Sequence, residues 1–244
     1  MASGAHLVEL FVSEQAGRAG DLLRDAHGRG IRTTVASERV MASLSDAVTP
    51  QGVIAVARAP QTSLAAHAVS ATLVVVLAEV RDPGNAGTLI RSAAAAGAGA
   101  VVFTRAAVDP LNPKSVRAAA GALFRVPVVR EENLEDATRT LRATGFSIVG
   151  ARAGARTSMY DSDFRARVAL ILGNESWGLS ELGTSLLDYE VAIPMPGPTE
   201  SLNVGIAGSV LCFEIARQRA MDPPAARAGG LSSPSNRRTE DGTP

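Results

Sequence analysis

The chain has 244 residues, 46% hydrophobic and 20% charged, with a formal net charge of zero. That length and apolar content support one large or two small domains around a packed core and argue against a chain disordered throughout. Zero net charge argues against a protein that coats a polyanion through bulk electrostatics, so any such contact has to be local.

The opening Met1 to Leu10 lacks a basic stretch followed by an apolar run and a small-residue cleavage site, so secretion is not expected and the cytosol is. From His6 to about Pro60 short strands alternate with helices: strand Leu7 to Val12, helix Gly17 to His27, strand Arg32 to Ala36, helix Ser37 to Leu44 and strand Val53 to Ala57. Ala59 to Thr72, polar and alanine-rich, reads as a linker or connecting helix, which closes a first module at residues 1–68. A second unit over residues 69–221 continues with strand Leu73 to Ala78, helix Ala86 to Ala96, strand Ala100 to Phe103, helix Pro113 to Leu123 and strand Val126 to Val129. Helix Leu134 to Thr144 follows, then strands Phe146 to Gly150 and Val168 to Leu172, a short helix after Leu179, strand Val191 to Pro194 and a long final helix. Alternation of helix with nearly continuous apolar strands predicts an α/β fold with a mostly parallel sheet covered on both faces. Residues 222–244, rich in Pro, Gly, Ser and Arg without period, read as a disordered tail.

The longest apolar runs, Leu73 to Ala78 and Val168 to Leu172, fall far short of the roughly 20 residues a membrane helix needs. One cysteine, Cys212, and three histidines remote from every motif below leave no metal site or histidine catalyst to expect. Lys114 is the sole lysine among 24 basic residues, a bias that fits codon usage better than a demand for guanidinium chemistry.

Ligands of open parallel sheets sit outside the carboxyl ends of strands, which directs attention to the loops after Ala78, Leu172 and Ile193. In the first, Arg81 to Arg91, Asn85 can cap the following helix and Arg91 would point a rigid donor fork the same way; the alternative is a capped helix with a surface arginine. In the second, Leu172-Gly173-Asn174-Glu175-Ser176-Trp177-Gly178, glycines flank a glutamate and permit close backbone approach, and Trp177 either stacks on a base or seals the domain edge. In the third, Ile193 to Val204, three prolines fix an extended approach and Ser201 is a plausible cap.

Taken in order, Asn85-x-Gly87-x3-Arg91, Gly173-x-Glu175-x2-Gly178 and Ile193-Pro194-Met195 through Ser201-Leu202-Asn203-Val204 resemble the three signature motifs of the SpoU/TrmH group of SPOUT RNA 2′-O-ribose methyltransferases, over about Leu73 to Ala220. The resemblance implies a deep trefoil knot, an exception to unthreaded topology. It also implies an S-adenosylmethionine pocket at Leu172, Gly173 and Asn174, at Ile193 and Met195, and at Ser201, Leu202 and Asn203, and a homodimer packed through the knot region. Arg91 carries a proposed catalytic role in the family, with Asn85 and Asn203 positioning substrate and Glu175 ordering the loops. Gly205 departs from the pattern, since many relatives carry serine after the Asn-Val pair.

The first module, including Leu44-Ser45-Asp46-Ala47-Val48-Thr49-Pro50-Gln51-Gly52, is similar to the later part of a small α/β RNA-binding module, with the opening strand and helix of typical versions missing, so a truncated module is expected. Between Arg91 and Arg130 six basic residues meet one acid, Asp109, and Arg105, Lys114, Arg117 and Arg125 are candidate RNA contacts; ordinary solvated helix faces are the alternative. Ribosomal RNA is favoured over transfer RNA as substrate, because the first module suits it. A non-catalytic RNA-binding protein retaining the knotted fold is the rival from another class.

Overall fold

A computed structural model describes residues 5–14, 19–45, 51–59, 61–174 and 179–221. The first unit holds β1 (Leu7–Ser13), α1 (Ala19–Gly28), β2 (Arg32–Ala36), α2 (Glu38–Leu44) and β3 (Val53–Ala57). Its sheet has the order β2-β1-β3, with β1 parallel to β2 and antiparallel to β3. Alternate residues of β1 turn inward, so Leu10 and Val12 are buried with Ala26 of α1 while Val8 faces out. The Asp46 to Pro50 part of the RNA-module phrase and the tail 222–244 lie outside the described residues.

The second unit opens with α3 (Leu64–Ala68) and β4 (Leu73–Leu77) and runs through α4 (Pro83–Ala95), β5 (Ala100–Thr104), α5 (Pro113–Ala118), β6 (Val128–Glu131) and α6 (Leu134–Ala143). It ends with β7 (Ser147–Ala151), β8 (Thr157–Ser158), β9 (Val168–Leu172), α7 (Glu181–Ser185), β10 (Tyr189–Ala192) and α8 (Val204–Met221). The strands form one seven-stranded sheet, β6-β5-β4-β9-β7-β10-β8, parallel at every pairing. β9 therefore lies between β4 and β7, and β10, formed later still, passes to the far side of β7.

Period-two burial in β4 explains the layers. Leu73, Val75 and Leu77 join the core under α4 and α8, whereas Val74 and Val76 join the core under α3 and α6. With both faces covered, the strand reads as an unbroken apolar run. Leu64 and Ala68 of α3 belong to that second core, so the segment read as a linker or connecting helix contains a helix packed against the large sheet. Among the described residues no helix is long and apolar enough to cross a membrane.

Local differences from the sequence reading have identifiable causes. Helix Pro113 to Leu123 is broken, because Ala120 and Gly121 adopt left-handed φ of 48° and 81°, and a single 3-10 turn at Ala122–Phe124 follows. The two-residue β8 carries no periodicity that a sequence could reveal; it exists because β10 offers it a partner. The cap of α4 is Asp82 rather than Asn85: its carboxylate accepts from the Asn85 amide at 2.8 Å, and Pro83 takes the first turn, where a missing N–H costs nothing.

At the amino ends of the strands Arg167 gathers the chain. It donates to the carbonyls of Ala71 at 3.0 Å, Ala68 at 2.9 Å and Thr144 at 2.5 Å, and to that of Val69, and its guanidinium lies 5.0 Å from the centre of the Phe146 ring. The end of α3 and the starts of β4, β7 and β9 are thereby tied to one side chain.

Helices α4 and α5 approach at Gly87, where an added Cβ would stand 2.5 Å from both the Ser115 carbonyl oxygen and the Ala118 Cβ. Because the opposing atoms include backbone, Gly87→Ala is expected to cost about 1–3 kcal/mol, and a thermal melt of that variant should fall by several degrees; an unchanged melt would contradict this contact. Asp82 provides a second test. The Asn85 amide, and after it Lys114, whose Nζ lies 3.3 Å from Oδ2, holds its pKa below the ordinary carboxylate value. Its contribution to stability is thus fully present above about pH 4 and disappears as pH falls through the lowered folded value. The stability gap between the parent and Asp82→Asn should narrow on acidification through that window in denaturant titrations, and a gap independent of pH would contradict the assignment.

Candidate active site

The carboxyl ends of β9, β7 and β10 are neighbours in the sheet, and the loops leaving them enclose a cavity of about 340 Å³. That volume falls in the range of about 300–1,000 Å³ common to small-molecule sites. Leu172, Gly173 and Asn174 form one wall, and Ile193 and Met195 another. Ser201 and Leu202 form a third, while Val204, Ala207 and Leu211 of α8 close the floor. Of the cofactor residues expected from sequence, all except Asn203 line this space.

Asn203 stands behind the wall. Its Oδ1 accepts from the amides of Gly205 at 2.8 Å and Ile206 at 3.3 Å, so it caps α8 and fixes where Val204 and Ala207 enter the cavity. The cap expected at Ser201 is displaced because the helix begins only at Val204, which leaves the Ser201 hydroxyl to the cavity. Asn85 arrives from α4 at the same point: a Cβ on Gly205 would lie 3.1 Å from Asn203 Oδ1 and 3.2 Å from Asn85 Oδ1. Glycine at this position therefore permits the two asparagines to converge.

The described residues do not bring Arg91 into the cavity. It is exposed on α4, with no hydrogen bond or ion pair among them. Glu175, with Ser176, Trp177 and Gly178, lies outside the described residues. Cys212 sits in the core, where burial pushes its thiol up to about 12, a value that leaves no thiolate for chemistry near neutrality.

Sequence reasoning missed the strand β7 side of the site. Arg152 lines the cavity and is held by Glu190 through a bidentate pair, Nε to Oε1 at 2.7 Å and Nη2 to Oε2 at 2.5 Å, which raises its pKa. Asp188 sets this edge: it accepts from the Ile148 amide at 2.7 Å and from Arg142 Nη2 at 2.7 Å. Burial pushes the Asp188 pKa upward, but these two contacts outweigh it and hold the carboxyl below its ordinary value. Glycines at 150 and 154 bracket this turn and were the available signal; what they lacked was any indication that β7 neighbours β10.

The basic strip reads differently once folded. Lys114 pairs with Asp82 at 3.3 Å, Arg105 with Glu132 at 3.5 Å and Arg130 with Asp109 at 2.8 Å, so tertiary structure supplies Asp82 and Glu132 where the sequence window contained Asp109 alone. Such exposed pairs contribute little stability but do lower the local positive field. Arg117 is exposed on α5, and Arg125 borders a separate cleft.

Residues 72–213 match the model of the SpoU rRNA methylase family, and residues 1–63 match that for RNA 2′-O ribose methyltransferase substrate binding. Among curated relatives, the 23S rRNA (guanosine-2′-O-)-methyltransferase RlmB of Xylella fastidiosa is 35% identical over 225 residues, which cover 88% of this chain and 90% of that protein. An uncharacterized tRNA/rRNA methyltransferase of Synechocystis is 37% identical over 155 residues, 64% of this chain but 40% of the relative's length. The solved structure of the SpoU methyltransferase AviRb from Streptomyces viridochromogenes, in complex with the cofactor AdoMet, is similar with a TM-score of 0.79 at 31% identity, covering 90% of this chain and 86% of that one. The order of the motifs, the cavity that the second and third line and the match over most of the chain lead to one assignment: this chain belongs to the SpoU rRNA methylase family.

Proposed function

We propose that the chain transfers the methyl group of S-adenosylmethionine to a ribose 2′-hydroxyl of ribosomal RNA in the cytosol. The observation that carries this reading is the cavity at the carboxyl ends of β9 and β10, lined by residues of the second and third motif segments, with Asn85 of the first meeting Asn203 at Gly205, next to the lining residue Val204. The cavity suits the cofactor in chemistry as well as size, with apolar walls at Leu172, Ile193 and Leu211 and polar groups at Asn174, Glu200 and Ser201. The match of residues 1–63 to a substrate-binding module, and of nearly the whole chain to RlmB, favours ribosomal over transfer RNA. On this reading residues 1–63 present RNA, and the catalytic unit beginning at α3 carries a trefoil knot around β7, β9 and α8.

Bound S-adenosylmethionine supplies a methyl group already activated on a sulfonium, which leaves the protein to orient the acceptor and manage its proton. A guanidinium stays protonated in proteins, so Arg91 is a poor general base. It serves instead as a fork that clamps the neighbouring phosphate and orients the hydroxyl, with a phosphate oxygen or water taking the proton. Asn203 holds the floor of the cavity by capping α8, and Asn85 packs beside it at Gly205.

A homodimer completes the site. The α4–α8 side of the molecule exposes Ile206 and Phe213, each 53% accessible, beside the helix that carries Arg91. Pairing of two copies through this face would cover apolar surface and set Arg91 of one chain toward the cavity of the other.

Two measurements test the reading. Labelled S-adenosylmethionine incubated with ribosomal and transfer RNA separately should label ribosomal RNA in alkali-resistant linkages, and Arg91→Lys should turn over at least about tenfold more slowly. Label confined to transfer RNA would reassign the substrate, and no label in either would favour the binding-protein alternative; near-normal turnover of Arg91→Lys would refute the clamp. Size-exclusion chromatography with light scattering should find a dimer in the parent and a monomer in Ile206→Glu/Phe213→Glu, whereas a monomeric parent rules out the shared site.

A further inference from the structure

Most basic side chains in the fold are already engaged. Ion pairs run from Arg24–Asp21 in α1 to Arg217–Glu214 in α8, and Arg167 and Arg219 direct their donors at main-chain carbonyls. Among the described residues Arg39, Arg58, Arg81, Arg91, Arg125 and Arg156 have no carboxylate partner. Zero net charge means that a polyanion can be gripped only where such unpaired cations gather.

Two of them gather in one place. Arg58, just past β3 of the first unit, and Arg125, in the stretch leading into β6 of the second, line a single cleft of about 520 Å³. His6 and His67 contribute further nitrogen donors, and Thr62 Oγ1 lies 2.5 Å from His67 Nε2. Phe124 adds an aromatic wall, and the described lining contains no carboxylate. Guanidinium, imidazole and hydroxyl donors beside an aromatic ring are the side chains that hold a nucleic-acid backbone.

We infer that this cleft between the two units is a phosphodiester-binding site for the RNA substrate, an inference that rests on the proposed function and extends it beyond the cofactor cavity. The cleft lies at the amino end of β6, whereas the cofactor cavity lies at the carboxyl ends of β9 and β10. A five-residue strand such as β9 spans roughly 17 Å, so the RNA is held at two ends of the sheet, with the chemistry at one and a backbone grip at the other. A contact of this kind positions the substrate and carries no base identity. Its removal therefore raises KM for RNA and leaves kcat at saturating RNA in place.

The full chain and a fluorescein-labelled oligouridylate provide the test, with binding followed by anisotropy across a potassium chloride series. Arg58→Gln and Arg125→Gln should each bind about tenfold more weakly, the loss of one charge-assisted contact, and the slope of log affinity against log salt should become shallower by about one for each. Arg139→Gln, exposed on α6 where it pairs with Asp136 and outside both the cleft and the first unit, should bind as the parent does. Parent-like affinity in the double variant Arg58→Gln/Arg125→Gln, or an equal loss in Arg139→Gln, would overturn the inference. Methyl transfer into ribosomal RNA is measured in parallel: a parent that transfers no label would sink the methyltransferase reading, while the binding comparison still decides the cleft.

Discussion

Helix α8 is seated by polar contacts at both ends and by close packing between them, and the cavity takes its shape from that seating. At its start Asn203 caps Gly205 and Ile206. One turn on, Gly208 lets Leu89 of α4 and Leu172 of β9 approach so closely that an added Cβ would stand 2.4 and 2.6 Å from their methyl groups. Ser209 bonds to Ser92 across the same seam at 2.7 Å. At its far end Gln218 takes the Phe164 amide and gives to the Ser162 carbonyl, and Arg219 donates to the carbonyls of Phe164, Ala166 and Thr72. About 27 Å of helix is thereby fixed between the segment before β9 and the first strand of the large sheet. Because Val204, Ala207 and Leu211 form the cavity floor, any slippage of α8 would be felt directly by a bound ligand.

Charge is organised by the same economy of position. A neutral chain with many arginines cannot attract RNA at a distance, and the fold removes further positive field by pairing cations locally, as in Arg130–Asp109 and Lys114–Asp82. Among the described residues, those without a carboxylate partner include Arg81 and Arg91 around α4, Arg58 with Arg125 at the junction of the two units, and the separate Arg39 and Arg156. Binding then depends on geometry more than on net charge, as expected of an enzyme that must place one ribose in register.

Much of the architecture could be read from local patterns. The buried runs at β4 and β9 announced a sheet covered on both faces, and the observed ranges of β2, β3 and β9 coincide with the predicted ones. The three motif loops fall where strands end; residues of the second and third line the cavity, and the first reaches Gly205 through Asn85. The errors were of a consistent kind. The sequence suggests Asn85 and Ser201 for capping roles that belong to Asp82 and Asn203, because several cap-competent side chains lie within a few residues of each helix start and only the backbone decides among them. The sequence pattern extends α5 to Leu123 because Ala120 has high helix propensity, whereas in the fold Ala120 adopts a left-handed conformation that ends the helix.

By itself the amino-acid order determined which segments are strands, which loops carry chemistry and which family of motifs they spell, since burial period, turn residues and motif spacing are all properties of neighbours along the chain. Tertiary structure alone decided that β7 lies beside β10, so that Arg152 and Glu190 join the site, and that α4 meets α8, so that Asn85 reaches Asn203. It also decided which arginines are neutralised by distant carboxylates and which stand open at the cleft between the units. The reason is physical: strand order and ion pairing arise from contacts between residues tens of positions apart, whose energies depend on the packed arrangement of both partners and leave no periodic trace in either stretch of sequence.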